Sequence, residues 1–318
     1  MASTFPTTVD VFDPDPPVDN FDDVMANDVG TLQDAMIATQ THIINNLNGY
    51  IPGGRLTLTT GTPVTTADVT GATTIYYTPY LHNVITLWTG TAWQPVTFTQ
   101  VSHALGTMTA ARGYDVFGYF SAGALAIEKL VWTSATARAT AISLQDGRYC
   151  KTGDKTRLYL GSFYSTSTTA TADAEATRFV WNMHNRRVRS LLVSNGTSHN
   201  YNSATVRAFN NDQANSDFEY FMGLVEDAVS VNVTGQMSTI ATDGNPRISI
   251  GTPNSTSAEL GGGVAKSNGF VGRIRGGSGL NPMPSLGYSF ICIVETSSVG
   301  TAPGATFETA TLSGAIQA

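Results

Sequence analysis

The side chains that could carry out chemistry are few and widely spaced in this sequence. No two of the histidines and cysteines stand at a spacing typical of metal ligands; they are His42, His82, His103, His184, His199, Cys150 and Cys292. No G-x-S-x-G nucleophile motif occurs. The glycine-rich stretch 261–267 has Ala265 where a phosphate-binding loop needs glycine before its lysine. We therefore predict no metal, no cofactor and no nucleophilic catalysis.

Paired carboxylates are the remaining route to catalysis, because glycoside hydrolysis uses two acids a few ångströms apart. The candidate acids are Glu128, Asp173, Glu175, Asp217, Glu219, Glu226 and Asp227. The sequence does not pair them, and acids in strands and turns are usually solvated. We predict that the chain is not an enzyme, and we keep glycan cleavage as an alternative.

Arginines and tryptophans offer two possible binding surfaces. Arg186, Arg187 and Arg189 form the one basic cluster of the sequence. This cluster could recognise an anionic glycan or pair with acids of a neighbouring subunit, and we favour the second. The tryptophans are expected in the core or in an interface rather than on a sugar platform; they are Trp88, Trp93, Trp132 and Trp181.

The composition predicts that mainly β-structure positions these residues. Only 13% of the chain is charged, so Thr, Ser, Asn and Gly must provide much of its surface. The formal net charge of -7 is uneven, because residues 1–54 hold eight Asp and no Lys or Arg, which leaves 16 acids against 17 bases. Without a strongly basic region, we predict no nucleic-acid partner. No basic and apolar leader and no apolar run of about 18 residues occurs, so we predict no membrane insertion.

Residues 1–23 are rich in proline and aspartate and predict an extended arm. Such an arm gains order by lying on a partner, and Phe5, Phe12 and Phe21 are its expected anchors. Residues 24–49 instead predict a helix, with apolar positions in alternating steps of four and three that form a coiled-coil seam. The seam positions are Met25, Val29, Leu32, Met36, Thr39, Ile43 and Asn46. The wide apolar face favours three chains over two.

Residues 50–165 predict a β-rich shoulder domain with hairpins around Gly90, Gly123 and Gly147. A short helix is expected at 99–105 or 135–141. Small polar residues at 166–177 predict a linker with few contacts. Eight or nine strands over 178–318 predict a C-terminal β-sandwich or jelly roll that folds on its own.

Several motifs resemble virion proteins of tailed bacteriophages. The segment GGRLTLTTGTPVTTADVTGATTIYYTPYLHNVITLWTGTAW, followed by YDVFGYF, ARATAISLQDG and TRLYLGSFYST, resembles a module of tail-fibre and other virion proteins over roughly residues 53–185. The stretch from Phe5 and Pro6 to Leu47 resembles the attachment region and short helix of phage fibres. The end, GYSFICIVET and ATLSGAIQA, is similar to the last strands of trimeric jelly rolls of the tumour-necrosis-factor and C1q type.

This resemblance implies a homotrimer on the virion surface, assembled in the bacterial cytoplasm, with its N-termini on the particle. Phe5, Pro6, Phe12 and Phe21 would then contact other virion proteins. The expected function is a tail fibre or receptor-binding appendage that meets a host receptor or glycan. A head fibre or capsid decoration protein is the alternative structural role, and a tail-borne glycan depolymerase is the alternative enzymatic one.

Overall fold

A computed structural model describes residues 30–39, 51–239, 246–252, 256–257, 263–265, 272–282, 284–297 and 305–318. Residues 30–39 are α-helical and belong to the helix predicted at 24–49. The predicted arm at 1–23 and the rest of the predicted helix lie outside the described residues.

The described chain is mainly β, as the composition predicted. Its first part contains β1 (Gly54–Thr57), β2 (Val69–Ala72), β3 (Thr74–Pro79), β4 (Val84–Trp88), β5 (Trp93–Thr97), β6 (Val101–Ala104), β7 (Gly113–Ser121), β8 (Ala124–Val131), β9 (Ile142–Gln145), β10 (Arg148–Lys151), β11 (Asp154–Tyr164), β12 (Thr171–Ala174), β13 (Thr177–Arg178) and β14 (Val180–Asn182). Its second part contains β15 (Val188–Asn195), β16 (His199–Tyr201), β17 (Arg207–Ala208), a 3-10 helix (Phe209–Asn211), β18 (Asp217–Met222), β19 (Ser230–Thr239), β20 (Pro246–Gly251), β21 (Gly263–Ala265), β22 (Gly272–Leu280), β23 (Gly287–Ser297) and β24 (Ala305–Gln317).

The three predicted hairpins are confirmed. They are β4–β5, β7–β8 and β9–β10, each antiparallel. Ala122 and Gly123 both have positive φ in the second hairpin, as do Asp146 and Gly147 in the third. Two positive φ angles in a two-residue loop match the right-handed twist of the strands that it joins. The turn chemistry therefore determined these hairpins locally.

The short helix predicted at 99–105 or 135–141 is wrong at both places. Residues 101–104 form β6, which pairs with β3. Residues 135–141 are irregular, because the Ser134 hydroxyl accepts the main-chain N–H groups of Thr136 and Ala137. A serine bonded to its own following backbone competes with helix formation.

The shoulder region consists of a three-stranded sheet (β1-β3-β6), the β4–β5 pair and a six-stranded sheet. The six-stranded sheet has the order β8-β7-β11-β10-β9, and β14 also pairs with β11. These strands enclose one apolar cluster, which includes Tyr77, Leu87, Phe98, Leu160 and Phe163. Burial of this cluster holds the hairpins together, since an isolated hairpin is marginally stable.

Residues 188–317 form a β-sandwich with jelly-roll strand order. One sheet runs β15-β24-β19-β22, and the facing strands run β18-β23-β20-β21. When β15 and β18–β24 are counted from one to eight, these orders are 1-8-3-6 and 2-7-4-5, the interleaving of a jelly roll. Val231, Val233, Ile291, Ile293 and Leu312 lie in the core between the sheets.

The connection between the two regions differs from the predicted linker at 166–177. Strand β12 lies within it, its four residues are buried, and it pairs with β2 and β13. The sandwich sheet therefore continues through β13 and β12 into β2 of the shoulder. Small Thr and Ala side chains, which suggested a linker, also pack well in a closely covered strand in the interior of a sheet.

Side chains from both regions also fasten them to each other. Phe117, Tyr159 and Trp181 belong to the apolar cluster of the sandwich. Within the shoulder, the side chain of Asn182, which follows the predicted boundary, accepts the Leu56 N–H at 2.6 Å and donates to the Leu56 carbonyl at 3.2 Å. The described body has a continuous interior across the predicted boundary.

Candidate functional site

The predicted attachment and seam residues are only partly described. Phe5, Pro6, Phe12 and Phe21 lie outside the described residues, as do the seam residues Met25, Val29 and Ile43.

Three seam residues lie in the helical stretch 30–39: Leu32 and Met36 are open to solvent in the single chain, and Thr39 is half-buried. Leu32 is 50% exposed and Met36 is 61% exposed, beside Ile37 at 58%. Three large apolar side chains exposed within six residues of one helix form a surface suited to a partner helix.

The arginine cluster does not act as one surface. Arg186 lies within the chain, with Nη1 on Asp227 and Nη2 on Glu226, both at 2.6 Å. Arg189 is buried. Arg187 is exposed and has no ion-pair partner among the described residues. Arg186 and Arg187 precede β15, whereas Arg189 lies within that strand and is buried.

Arg189 instead joins a buried charge centre that the sequence did not predict. Asp173 contacts Arg178 Nη1 at 3.2 Å and Arg189 Nη2 at 3.4 Å. Arg55 reaches the same place and donates to three main-chain oxygens, of Pro63, Asn185 and Ala318. We name Arg55, Asp173, Arg178 and Arg189 the arginine centre. It gathers side chains from β1, β12, β13 and β15 at the junction of the two regions.

Three buried guanidiniums meet in the arginine centre: Arg178 and Arg189 share the Asp173 carboxylate, whereas Arg55 is held by main-chain oxygens that include that of Ala318. Burial, together with repulsion from Arg189, lowers the pKa of Arg55 to about 10. Burial also lowers the pKa of Arg189, against the attraction of Asp173. The sequence signal was slight, because Asp173 lies among the small residues taken for a linker and Arg178 directly follows them.

A groove of about 550 Å³ lies beside this centre. Its lining residues are Val64, Thr65, Thr66, Ala67, Asp68, Glu175, Arg178, Val188, Arg189 and Ser190. Residues 66–68 and Glu175 are exposed at its rim, whereas Arg178 and Arg189 are buried at its base. A volume of this size lies within the range of about 300–1,000 Å³ typical of ligand sites.

Two further buried ionic networks are structural. Arg138 Nε donates to Asp115 at 2.9 and 3.2 Å, and its guanidinium lies 4.5 Å from the Trp132 ring centre. The fully buried Glu295 accepts from Arg207 Nε at 2.8 Å and contacts His199 Nε2 at 2.6 Å. Both carboxylates are satisfied by these partners: Arg138 attaches the irregular segment 135–141 to β7, and Arg207 adds an ionic contact between β17 and β23.

Among the candidate acids, Asp217 and Glu219 lie on one face of β18, two residues apart. Glu219 accepts a hydrogen bond from the Tyr288 hydroxyl, and Asp217 accepts one from Gln213 Nε2 at 3.1 Å. Burial raises the pKa of Asp217 to about 6, with a smaller contribution from the Glu219 charge. Two neighbouring carboxyls, one of them with a raised pKa, are the components of acid catalysis.

The Asp217 shift predicts a measurable pH effect. Between about pH 4 and 6 the folded state holds a proton that the unfolded state has lost, so the free energy of unfolding falls as the pH rises through this range. Asp217→Asn removes that loss and should stabilise the protein by about 1 kcal/mol at pH 7.5, after discounting for partial exposure. At pH 4 the two proteins should be equally stable. Urea unfolding at both pH values measures this, and an equal gain at pH 4 would assign the effect to packing.

The four tryptophans divide into two pairs. Trp132 and Trp181 are buried, in agreement with the prediction. Trp88 and Trp93 are half-buried at the tip of the β4–β5 hairpin, with ring centres 5.5 Å apart. Lys155 and Arg148 lie over these rings, and Asp146 accepts from Trp93 Nε1 at 2.9 Å. These contacts attach the hairpin to its neighbour.

Searches for a metal site and a membrane helix gave no candidate in the described residues. Within those ranges, no three His, Cys, Asp or Glu side chains lie close enough to share a metal ion. No helix in this part of the chain is long and apolar enough to cross a bilayer.

Comparison with known proteins gives only weak structural likenesses. No family model and no curated protein matches the sequence. A structure of infectious bursal disease virus, Gx strain, has 11% identity and a TM-score of 0.27, and covers 67% of this chain and 68% of that one. A β-porphyranase of glycoside hydrolase family 86 from Bacteroides plebeius has 10% identity and a TM-score of 0.22, over 84% of this chain and 37% of that one. The delta-endotoxin Cry8Ea1 of Bacillus thuringiensis has 5% identity and a TM-score of 0.24, over 83% of this chain and 51% of that one. Likenesses at this level identify neither a family nor a function.

Proposed function

We propose that this chain is a trimeric fibre or receptor-binding appendage on the tail of a phage particle. The observation that carries the proposal is the helix at 30–39, whose exposed Leu32, Met36 and Ile37 precede a body made almost entirely of strands. A helix with an unpaired apolar face next to a compact β-structure is suited to joining several copies at one end.

The trimer is tested by the mass of the soluble protein. Light scattering at micromolar concentration should give three times the chain mass of 33.6 kDa. Leu32→Asp combined with Met36→Asp places charges in the seam and should reduce the mass to that of one chain. Asp34→Lys, on the opposite side of the same helix, changes the charge without touching the seam and should leave the trimer intact. A monomer in the unaltered protein would refute the proposal.

Attachment and location are tested on particles. The acidic arm at 1–23, with Phe5, Pro6, Phe12 and Phe21, is proposed to bind other virion proteins. A protein without residues 1–23 should form soluble trimers that fail to join virions. Labelled full-length protein seen by microscopy at the tail supports the fibre, whereas label on the head supports the alternative of a head fibre or decoration protein.

Glycan depolymerase activity is the second candidate, and the pair Asp217 and Glu219 favours it. Incubation with host envelope followed by mass spectrometry would detect released oligosaccharides. Release that is lost in Asp217→Asn would replace the binding role with a catalytic one.

A further inference from the structure

Within the arginine centre, Arg178 and Arg189 share a single carboxylate, that of Asp173. Among the described residues, the Arg189 side chain has one hydrogen bond, to Asp173 at 3.4 Å, although a guanidinium has five N–H donors. Arg178 donates from Nε to the Ser190 carbonyl at 2.9 Å and from Nη1 to Asp173, the carboxylate that also pairs with Arg189. Buried charges are normally paired, since an unpaired guanidinium loses its hydration without compensation. One carboxylate shared by two guanidiniums leaves room for a second anion.

The groove gives such an anion access. Arg178 and Arg189 lie at its base, and solvent reaches it past the exposed Thr66 and Ser190. Guanidinium groups bind planar carboxylates with two parallel hydrogen bonds. The hydroxyls of Thr65, Thr66 and Ser190 add neutral donors and acceptors around that position. Such a lining suits a ligand that carries both a carboxylate and several hydroxyls.

Two acids at the rim limit what can bind. Asp68 accepts the Glu175 N–H at 2.9 Å, and the Glu175 carboxylate accepts from the Ser190 hydroxyl at 3.0 Å. Both carboxylates repel an anion that approaches the base, and hydroxyl groups of a ligand can donate to them. A compact inorganic anion meets this repulsion without offering such donors.

We propose that this groove binds an acidic saccharide, with its carboxylate on Arg178 and Arg189 and its hydroxyls along the 64–68 segment and Ser190. As a host-contact site it rests on the proposed function. Binding itself is a property of the soluble protein, so its failure and the failure of virion attachment are observed separately.

The test is calorimetric titration of the full chain at fixed ionic strength with a galacturonic acid tetramer and, in parallel, a neutral galactose tetramer. The acidic tetramer should bind at least tenfold more tightly than the neutral one, and more tightly than inorganic sulfate. Equal affinity for the two tetramers, or for sulfate, would overturn the proposal.

Three variants locate the site. Arg189→Gln should weaken binding of the acidic tetramer at least tenfold, whereas Arg187→Gln removes an exposed charge outside the groove and should change the affinity less than twofold. Glu175→Gln keeps the acceptor for Ser190, removes the rim charge and should strengthen binding several-fold. If Arg189→Gln does not fold, Glu175→Gln alone tests the site. An unchanged affinity of Glu175→Gln for the acidic tetramer would then overturn the proposal that it binds in this groove.

Discussion

Asp173→Ala is expected to lower the free energy of unfolding by about 3–5 kcal/mol, because it leaves the buried guanidiniums without their carboxylate. Asp173 contacts both Arg178 and Arg189, and all three side chains are at least 88% buried. Repulsion between the arginines, now uncompensated, adds to the cost of their lost hydration. Denaturant unfolding followed by fluorescence measures the change.

Glu128→Ala is the matched control. It also removes a carboxylate from an arginine, Arg157 at 2.6 Å, but these side chains are 36% and 27% exposed. Partly exposed pairs contribute at most about 1 kcal/mol. Similar losses in the two variants would show that burial does not set the energy of the arginine centre.

A fragment of residues 178–318 is expected to remain unfolded, in contrast to the expectation from strand counting alone. It lacks β2 and β12, which continue the sandwich sheet, and it lacks Phe117 and Tyr159 of the sandwich core. It also loses Asp173 and Arg55 while it keeps Arg178 and Arg189. Lost core aromatics cost about 3–5 kcal/mol each. With the ionic loss added, their combined removal is as large as the whole stability of an ordinary domain, about 5–15 kcal/mol.

A fragment of residues 51–318 is the control for this experiment. It retains every described contact of the β-structure and should give a strand-type circular dichroism spectrum with a single cooperative transition. If residues 178–318 alone show the same spectrum and a cooperative transition, the sandwich is an independent domain despite the shared sheet.

The sequence predicted local features better than long-range ones. The hairpins at Ala122–Gly123 and Asp146–Gly147 were evident, because a turn with positive φ is set by adjacent residues. Val231 and Val233 are buried and alternate with the exposed Asn232 and Thr234, the pattern of a strand with one solvated side.

Local sequence did not predict which distant segments pair as strands. Nothing local in 69–72 and 171–174 shows that these segments are neighbours. Strand β23 buries both faces: Ile291 and Ile293 face the sandwich, while Cys292 and Val294 pack under Ala208. A strand covered on both sides has no alternating pattern to reveal which face is which. The arginine centre was missed because its four members come from four strands, and nothing local in the sequence shows that these strands meet.

The asparagine contacts at the start of the body determine how a mechanical load would travel through it. Asn185 Nδ2 donates to the carbonyls of Pro52 and Gly54 at 2.6 and 3.1 Å, and Asn182 holds Leu56. Tension applied through the helix therefore enters at residue 51 and passes through these contacts to the segment that leads into β15. Gly53 also donates to the Val84 carbonyl at 3.0 Å and accepts from the Tyr80 and Leu81 N–H groups at 2.9 Å, and β1 pairs with β3. A load that enters at residue 51 is therefore divided at once between the shoulder sheet and the segment that leads into the jelly roll.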